Sequence, residues 1–263
     1  MAIPSRQRWR RPPLAGFVLA SAYVLGAVGP GELAGAVEIP TCPVAAAIAP
    51  YQQNGEILAL PPAGEKSPLR ILAIGSSSTQ GVGASEPNHA YPARLAIELK
   101  TRWGLAADVR NAGIGGEVSD ATLARLRRAL ATGWPQLTIW QVGTNDAVVG
   151  ADEKRFEATL RLGIEAAREA RTPLMLVDPQ FLPGFKDMAR YERFVSIIGR
   201  IGASEHVAVL SRYALMKGWA ARGGRDFNSV LSADQFHMSD LGYACLARTL
   251  AEAMMGGGPA KGR

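Results

Sequence analysis

The sequence has few residues of the kinds that bind metals, clusters or redox cofactors. Its 263 residues include only two cysteines, Cys42 and Cys245, and only three histidines. No two cysteines lie at the close spacing of a zinc or iron–sulfur site, so a cysteine-ligated metal centre is excluded. We therefore expect no metal and no cofactor.

Nucleotide-binding patterns are also missing. The stretch GSSSTQG (75–81) resembles a P-loop in composition, but its glycines are one residue too far apart and no lysine follows at the required position. Gly113 and Gly115 begin a dinucleotide-binding pattern whose third glycine position holds Val118. Both kinds of phosphate site are therefore disfavoured.

The first 36 residues have the pattern of a secretory signal. Four arginines precede the uncharged run LAGFVLASAYVLGAV (14–28), and the small residues Ala34-Gly35-Ala36 follow at the place of a cleavage site. We predict cleavage after Ala36 and a periplasmic or secreted mature chain without stable membrane insertion. The alternative is an uncleaved anchor, because the uncharged run extends to Gly31 and approaches the roughly 18 residues of a spanning helix.

Loss of this segment changes the charge of the chain. Residues 1–36 contain four arginines and one glutamate, so the formal charge falls from +6 to +3. No basic stripe interleaved with aromatic residues remains, and Arg125, Arg127 and Arg128 are interpreted as the solvated face of a helix. We expect no nucleic-acid partner. Outside the cytoplasm Cys42 and Cys245 can form a disulfide, and two free thiols are the alternative.

The remainder divides into three parts. Residues 37–68 are rich in Pro, Ala and Gly and are predicted to be an extended lead-in, and the Gly-rich residues 256–263 a disordered tail. Between them, residues 69–255 alternate short apolar runs, such as RILAIG and PLMLVDP, with longer stretches of helical period. Uninterrupted apolar strands are typical of a parallel sheet covered on both faces. The pattern predicts a three-layer α/β/α sandwich.

Ligands of such folds bind beyond the carboxyl ends of the strands. The loops predicted there are GSSSTQG, NAGIGGE, GTNDA and DPQ, which follow four successive strands. A serine nucleophile in the first loop needs a base, and His237 is the best of the three histidines. Asp234 lies three residues before it, so its carboxylate can orient the imidazole. His206 precedes a strand at the wrong edge, and His89 is interpreted as a helix cap or as part of the site mouth.

The order of four short motifs resembles a known family. GSSST at 75–79, NAGIGG at 111–116, GTND at 143–146 and DQFH at 234–237 are similar to the four blocks of the SGNH hydrolases, also called GDSL esterases and lipases. The resemblance covers the domain from Leu69 to the last predicted helix and implies a mostly parallel, flavodoxin-like sheet. No Gly-x-Ser-x-Gly occurs, so the nucleophile elbow of the α/β-hydrolases is excluded.

The resemblance implies a role for five residues, which are Ser77, Gly116, Asn145, Asp234 and His237. Ser77 matches the family nucleophile, whereas Ser76 stands where the family has Asp and Ser78 where it often has Leu. The Ser77 and Gly116 N–H groups and the Asn145 amide are expected to stabilise the oxyanion, with Gly115 as an alternative to Gly116. For Asn145 the structural alternative is a helix cap, and Asp146 is expected to orient the loop.

The implied activity is metal-independent hydrolysis of carboxylic esters through an acyl-enzyme intermediate. The expected substrates are small-molecule or carbohydrate esters, with acetyl or other short-chain esters on cell-envelope sugars favoured. Transfer of the acyl group to a sugar hydroxyl and non-catalytic carbohydrate binding on the same fold are the alternatives. Segment 181–191, FLPGFKDMARY, is expected to form one wall of the site. The oligomeric state is left open.

Overall fold

The computed structural model describes residues 42, 52–53, 60, 66–221 and 224–256. All of them belong to Ile39–Arg263, the second of the two units into which the chain divides. The predicted signal segment 1–36 and residues 257–263 of the predicted tail lie outside the described residues. Among the described helices, none is long and apolar enough to cross a membrane.

The sheet contains five parallel strands and one antiparallel strand at its edge. Their bounds are β1 Gln52–Gln53, β2 Leu69–Gly75, β3 Ala107–Gly113, β4 Leu137–Gln141, β5 Leu174–Val177 and β6 Ala208–Leu210. The spatial order is β1-β6-β5-β4-β2-β3, and β1 pairs antiparallel with β6. The five parallel strands have the flavodoxin-like order, so the expected fold class is confirmed.

Helices cover both faces of this sheet. They are α1 Ser77–Gln80, α2 Tyr91–Trp103, α3 Ser119–Ala131, α4 Thr144–Val149, α5 Glu153–Glu169, α6 Met188–Ser204, α7 Arg212–Ala221, α8 Gly224–Ser229 and α9 Asp240–Met254. Side chains of α2, α7, α8 and α9 pack in one apolar cluster, and those of α3, α5 and α6 in another. The three-layer architecture follows from this division.

Strand β2 shows why the central strands are apolar without alternation. Ile71 and Ala73 belong to the first cluster, whereas Leu72 and Ile74 belong to the second. Successive side chains of a strand point to opposite faces, and here both faces are covered. Edge strand β3 differs, because it carries polar side chains that are not buried, and the Arg110 guanidinium lies 3.6 Å from the ring centre of Trp134.

The segment before residue 69 contributes to the domain more than the sequence indicated. Gln52 and Gln53 pair with Leu210 and Val209, which extends the sheet by one strand. Cys42 forms a disulfide with Cys245 in α9, so the alternative of two free thiols is wrong. A cross-link over 203 residues restricts the unfolded chain strongly, and such bonds typically stabilise by roughly 2 to 4 kcal/mol.

The order in which the chain forms its strands determines where the site lies. From β2 the chain continues to β3 on one side of it and then to β4 on the other side. This reversal opens a crevice beyond the carboxyl end of β2, where α/β folds of this type bind ligands. The loop that leaves β2 carries the three serines 76–78.

Candidate active site

The three consecutive serines have different surroundings. Ser76 and Ser78 are 5% and 1% exposed, whereas Ser77 is partly open to solvent. Ser78 Oγ donates to Oε1 of Gln180 at 3.1 Å, and Ser76 Oγ donates to Oε1 of Gln141 at 3.2 Å. The hydroxyls of Ser76 and Ser78 are therefore used in buried hydrogen bonds. Of the three serines, only Ser77 can contact a substrate.

Gln141, the last residue of β4, fixes the loop that carries Ser77. Its Oε1 accepts hydrogen bonds from Ser76 N at 3.0 Å, from Ser76 Oγ, and from Thr79 Oγ1 at 3.2 Å. Gln141 is 1% exposed, so these bonds are shielded from water and costly to lose. At the position where the resemblance led us to expect Asp, Ser76 thus anchors the loop to the neighbouring strand.

Asp234 organises the loop before α9. Its Oδ1 accepts from Ser232 Oγ at 2.6 Å and from the backbone N–H groups of Phe236 at 2.9 Å and His237 at 2.8 Å. Gln235 completes the turn with φ of 55°, in the left-handed region. Burial would raise the pKa of Asp234, but its hydrogen bonds with His237, Ser232 and Phe236 hold this pKa well below the usual range. The carboxylate is therefore ionised at neutral pH.

His237 joins this carboxylate to the nucleophile candidate. Its Nδ1 lies 2.6 Å from Oδ2 of Asp234, and its Nε2 lies 2.9 Å from Oγ of Ser77. With the proton on Nδ1, the imidazole donates to Asp234 and its Nε2 accepts the Ser77 hydroxyl proton. A serine nucleophile needs a base in this position and this tautomer.

Gln180 ties the serine loop to the histidine loop. Its Nε2 donates to the carbonyl of Phe236 at 2.7 Å, while its Oε1 accepts from Ser78. Its own carbonyl accepts from Tyr191 Oη at 2.8 Å, and the residue is fully buried. The DPQ loop was predicted to lie at the site, but the role of Gln180 within it was not predicted. The available signal was a polar side chain directly after a buried strand.

Gly115 and Gly116 differ in the use of their N–H groups. The N–H of Gly115 donates to Oε1 of Gln80 at 2.8 Å. Within the described part of the chain, no hydrogen bond uses the N–H of Gly116. Gly116 has φ of 79°, which an L side chain rarely adopts, so glycine is favoured there. These contacts leave Gly116, and not Gly115, with a donor available to a ligand.

Asn145 is the second residue of α4. One hydrogen of its Nδ2 is donated to the carbonyl of Glu117 at 2.8 Å, which leaves the second hydrogen for a ligand. Its neighbours hold the helix start, because Thr144 Oγ1 accepts from buried Arg212 at 3.1 Å and Asp146 accepts from Ser119 Oγ at 2.6 Å. Burial raises the pKa of Asp146, although the Ser119 hydrogen bonds oppose this shift. Asp146 thus orients the loop.

Arg125 is not a solvated residue, so that interpretation was wrong. Its Nη1 donates to the carbonyl of Ala112 at 2.7 Å, and its Nε lies 2.9 Å from Oε1 of Glu117. Arg125 therefore braces the NAGIGG loop, whereas Arg127 and Arg128 are exposed as expected.

The other two histidines do not bond to Ser77. His89 lies in the 3₁₀ turn Pro87–His89 and binds Asp240, and His206 precedes β6 at the opposite edge of the sheet. Among the described residues, no group of three His, Cys, Asp or Glu side chains is placed to hold a metal ion. Of the three histidines, only His237 therefore links a serine of this edge to a carboxylate on the other side of its ring.

Comparison with known proteins identifies relatives of this chain and structures with the same fold. The sequence model of the non-GDSL lipase-like family matches residues 41–258. Esterase TesA of Pseudomonas aeruginosa is 28% identical over 141 residues, 53% of this chain and 68% of TesA. A crystal structure of TesA superposes with a TM-score of 0.61 at 24% identity, covering 70% of this chain and 97% of that one. AlinE4, an SGNH-hydrolase family esterase, gives 0.52 at 23% identity, with coverage of 59% and 80%. The chain thus belongs to the non-GDSL lipase-like family and is a hydrolase.

Proposed function

We propose that this enzyme hydrolyses carboxylic esters through an acyl-enzyme formed on Ser77. The observation that carries the proposal is the continuous hydrogen-bonded set from Ser77 Oγ to His237 Nε2 at 2.9 Å and from His237 Nδ1 to Asp234 Oδ2 at 2.6 Å. Ser77 is also the one serine of its row with a hydroxyl open to a substrate. The catalytic residues of the proposal are Ser77, Gly116, Asn145, Asp234 and His237.

The reaction takes two steps. Ser77 Oγ attacks the ester carbonyl carbon while His237 Nε2 takes the hydroxyl proton, and Asp234 stabilises the resulting imidazolium. Collapse of the tetrahedral intermediate breaks the bond to the alcohol oxygen, which leaves with the proton from His237. Water then attacks the acyl-enzyme, with His237 again as base, and releases the acid and free Ser77.

The oxyanion of each tetrahedral intermediate is proposed to bind the Ser77 and Gly116 N–H groups and the Asn145 amide. Ser77 is the first residue of α1, and within the described chain no hydrogen bond uses its N–H. The Gly115 N–H already serves Gln80, which argues against the alternative assignment. Donors that are in place before the reaction lower the barrier because they need no reorganisation.

On the acyl side we propose a short group, acetyl above all. The hollow that includes Glu117, Gly143 and Asn145 has no room for a water molecule, which argues against a deep acyl tunnel there. An extracytoplasmic location is proposed on the pattern of residues 1–36. Transfer to a sugar hydroxyl would use the same residues, and analysis of products with sugar acceptors separates it from hydrolysis.

The test combines labelling with turnover. A fluorophosphonate is expected to label the peptide that contains Ser77 in the wild-type protein and to leave Ser77→Ala unlabelled. Release of acetate from 4-nitrophenyl acetate is expected to disappear in the same variant. Labelling of another residue, or ester turnover that survives Ser77→Ala, would overturn the assignment. Specific sugar binding without labelling or turnover would favour a non-catalytic carbohydrate-binding protein.

A further inference from the structure

An apolar cavity of about 430 Å³ adjoins the histidine loop. Its size lies within the roughly 300 to 1,000 Å³ of small-molecule sites. The apolar wall residues come from segment 181–191, from α8 and from the loop after it: Leu182, Pro183, Phe185, Phe227, Leu231 and Phe236. Phe227 and Leu231 belong to one core cluster and Leu182 to the other, so these walls are held in place without a ligand.

The position of the cavity relative to the reacting groups indicates which part of the substrate it can bind. Asp234 and Phe236 line it, and the Phe236 ring packs edge-on against the His237 imidazole with the centres 4.8 Å apart. The cavity reaches the site through these two residues, because neither His237 itself nor Ser77, Gly116 or Asn145 lines it. The cavity therefore lies on the histidine side of the site, away from the proposed oxyanion donors.

An ester has a fixed orientation in such a site. Its carbonyl oxygen faces the oxyanion donors, and its alcohol oxygen must face the imidazole that protonates it. The alcohol portion therefore extends past His237, whereas the acyl portion does not. A cavity lined by Asp234 and by the Phe236 ring that packs on His237 is thus placed to receive the alcohol.

We propose that this cavity binds the alcohol portion of the ester, and that this portion is a bulky apolar group such as an aryl or cycloalkyl alcohol. This inference rests on the proposed function. A sugar needs a polar partner for each buried hydroxyl, and the cavity offers the amides of Asn228 and Gln235, both on exposed residues. The Asp234 carboxylate at its edge disfavours an anionic alcohol.

The inference predicts a substrate preference. Cyclohexylmethyl acetate and ethyl acetate are both esters of unactivated primary alcohols and form the same acetyl-enzyme. We expect kcat/KM to be at least about tenfold higher for cyclohexylmethyl acetate, because the ring leaves water for an apolar cavity. Hydrolysis of the acetyl-enzyme is expected to proceed at one rate whichever acetate formed it, because the alcohol has left.

Two variants fill the cavity from different walls. Asn228→Trp adds a large side chain at an exposed position, and Gly184→Leu adds one where no atom lies within 4 Å of the new Cβ. Each is expected to lower the preference for cyclohexylmethyl over ethyl acetate at least fivefold. The matched controls Asn228→Ala and Gly184→Ala, which do not fill the cavity, are expected to keep the preference.

The outcomes separate the alternatives. Equal losses on both acetates would overturn the inference, because the variants would then act on folding or on the reacting groups. Slower turnover of methyl octanoate with an unaltered acetate preference would make the cavity an acyl site. Preference for acetylated xylose over cyclohexylmethyl acetate would make the alcohol a sugar. No hydrolysis of any ester, with no fluorophosphonate labelling, would instead overturn the proposed function.

Discussion

Two sets of Ser, His and Asp side chains lie in this structure, and they differ in geometry. In the first, His237 separates its partners, with Ser77 at Nε2 and Asp234 at Nδ1. In the second, Ser85 Oγ and Asp240 Oδ2 both lie 2.8 Å from Nδ1 of His89. Ser85 Oγ also donates directly to that carboxylate at 2.6 Å.

The two sets have the same composition, so the order of their contacts is what distinguishes them. The Ser77 hydroxyl faces Nε2 of the imidazole, and the Asp234 carboxylate contacts Nδ1 on the other side of the ring. In the second set the Ser85 hydroxyl is held by the carboxylate itself, which is a weak base. Its role is structural, because Ser85 N also donates to Asp240 at 2.8 Å and links the loop after α1 to the start of α9.

The largest expected effect tests this contrast directly. Ser77→Ala and His237→Ala should each lower kcat on a short-chain aryl acetate by about 10⁴- to 10⁶-fold, because they remove the nucleophile or its base. Ser85→Ala and His89→Ala make the same chemical changes in the second set and should keep kcat within about threefold. Initial rates corrected for background hydrolysis measure all four. A severe loss in Ser85→Ala with activity kept in Ser77→Ala would reverse the assignment.

Substitutions of Asp234 and Asp240 should also differ in their effect on kcat, with a somewhat smaller loss than for the nucleophile or base. Asp234→Asn keeps the shape but removes the acceptor that fixes the His237 tautomer, so kcat should fall by about 10³- to 10⁴-fold. Asp240→Asn is the matched control and should alter kcat by less than about threefold. If both variants lose activity equally, the exposed set contributes to turnover and the contrast fails.

Substitution of Asn145 tests how much the proposed oxyanion donors contribute to kcat. No such donors are assigned to the second set. Asn145→Ala leaves Ser77, His237 and Asp234 unaltered, so kcat should fall by about 10²- to 10³-fold, less than after loss of the nucleophile. Asn88→Ala, beside His89, is the control and should have no measurable effect. A KM increase with unaltered kcat would show that Asn145 binds the ground state instead.

The contact order Ser77–His237–Asp234 could be predicted from local motifs, but the contacts that hold Ser77 in place could not. DQFH puts acid and base in one turn, and the apolar runs predicted the parallel sheet. Gln141 and Gln180 contact the serine loop from 65 and 102 residues away, so their roles depend on strand order and not on spacing. Strand β1 was not predicted, because two residues in a Pro-rich segment are too few to show a hydrophobic period. Ser85 and Asp240 are 155 residues apart and were missed for the same reason as the glutamines.

Substitution of Gln180 is expected to have a moderate effect on kcat, because this residue positions Ser77 and His237 without touching the substrate. Gln180→Leu should lower kcat by about tenfold with KM within twofold, since Ser77 and His237 lose their shared support. Purely structural damage would instead lower the folded fraction and leave kcat per labelled active site unaltered. Titration of active sites with a fluorophosphonate separates the two outcomes.

The smallest expected effect concerns the stability that the second set provides. Burial alone would raise the pKa of Asp240, but hydrogen bonds from Ser85 and the contact with His89 lower it. A carboxylate whose pKa is lower in the folded state stabilises the fold above its unfolded pKa, near 4, and loses this contribution as the pH falls through the folded value. Both Asp240 and His89 are about one-third exposed, so the contribution at pH 7 should be at most about 1 kcal/mol.

Urea unfolding of the wild type and Asp240→Asn measures this contribution. The difference in the free energy of unfolding should shrink as the pH falls below about 4 and nearly vanish near pH 2, where both chains carry a neutral side chain at position 240. The sign follows from the lowered pKa, because acid protonates the carboxylate and removes the charge that Ser85 and His89 bind. A difference that grows as the pH falls from about 4 to 2 would mean that the folded state raises the Asp240 pKa, and the second set would then be a strained contact instead of a structural link.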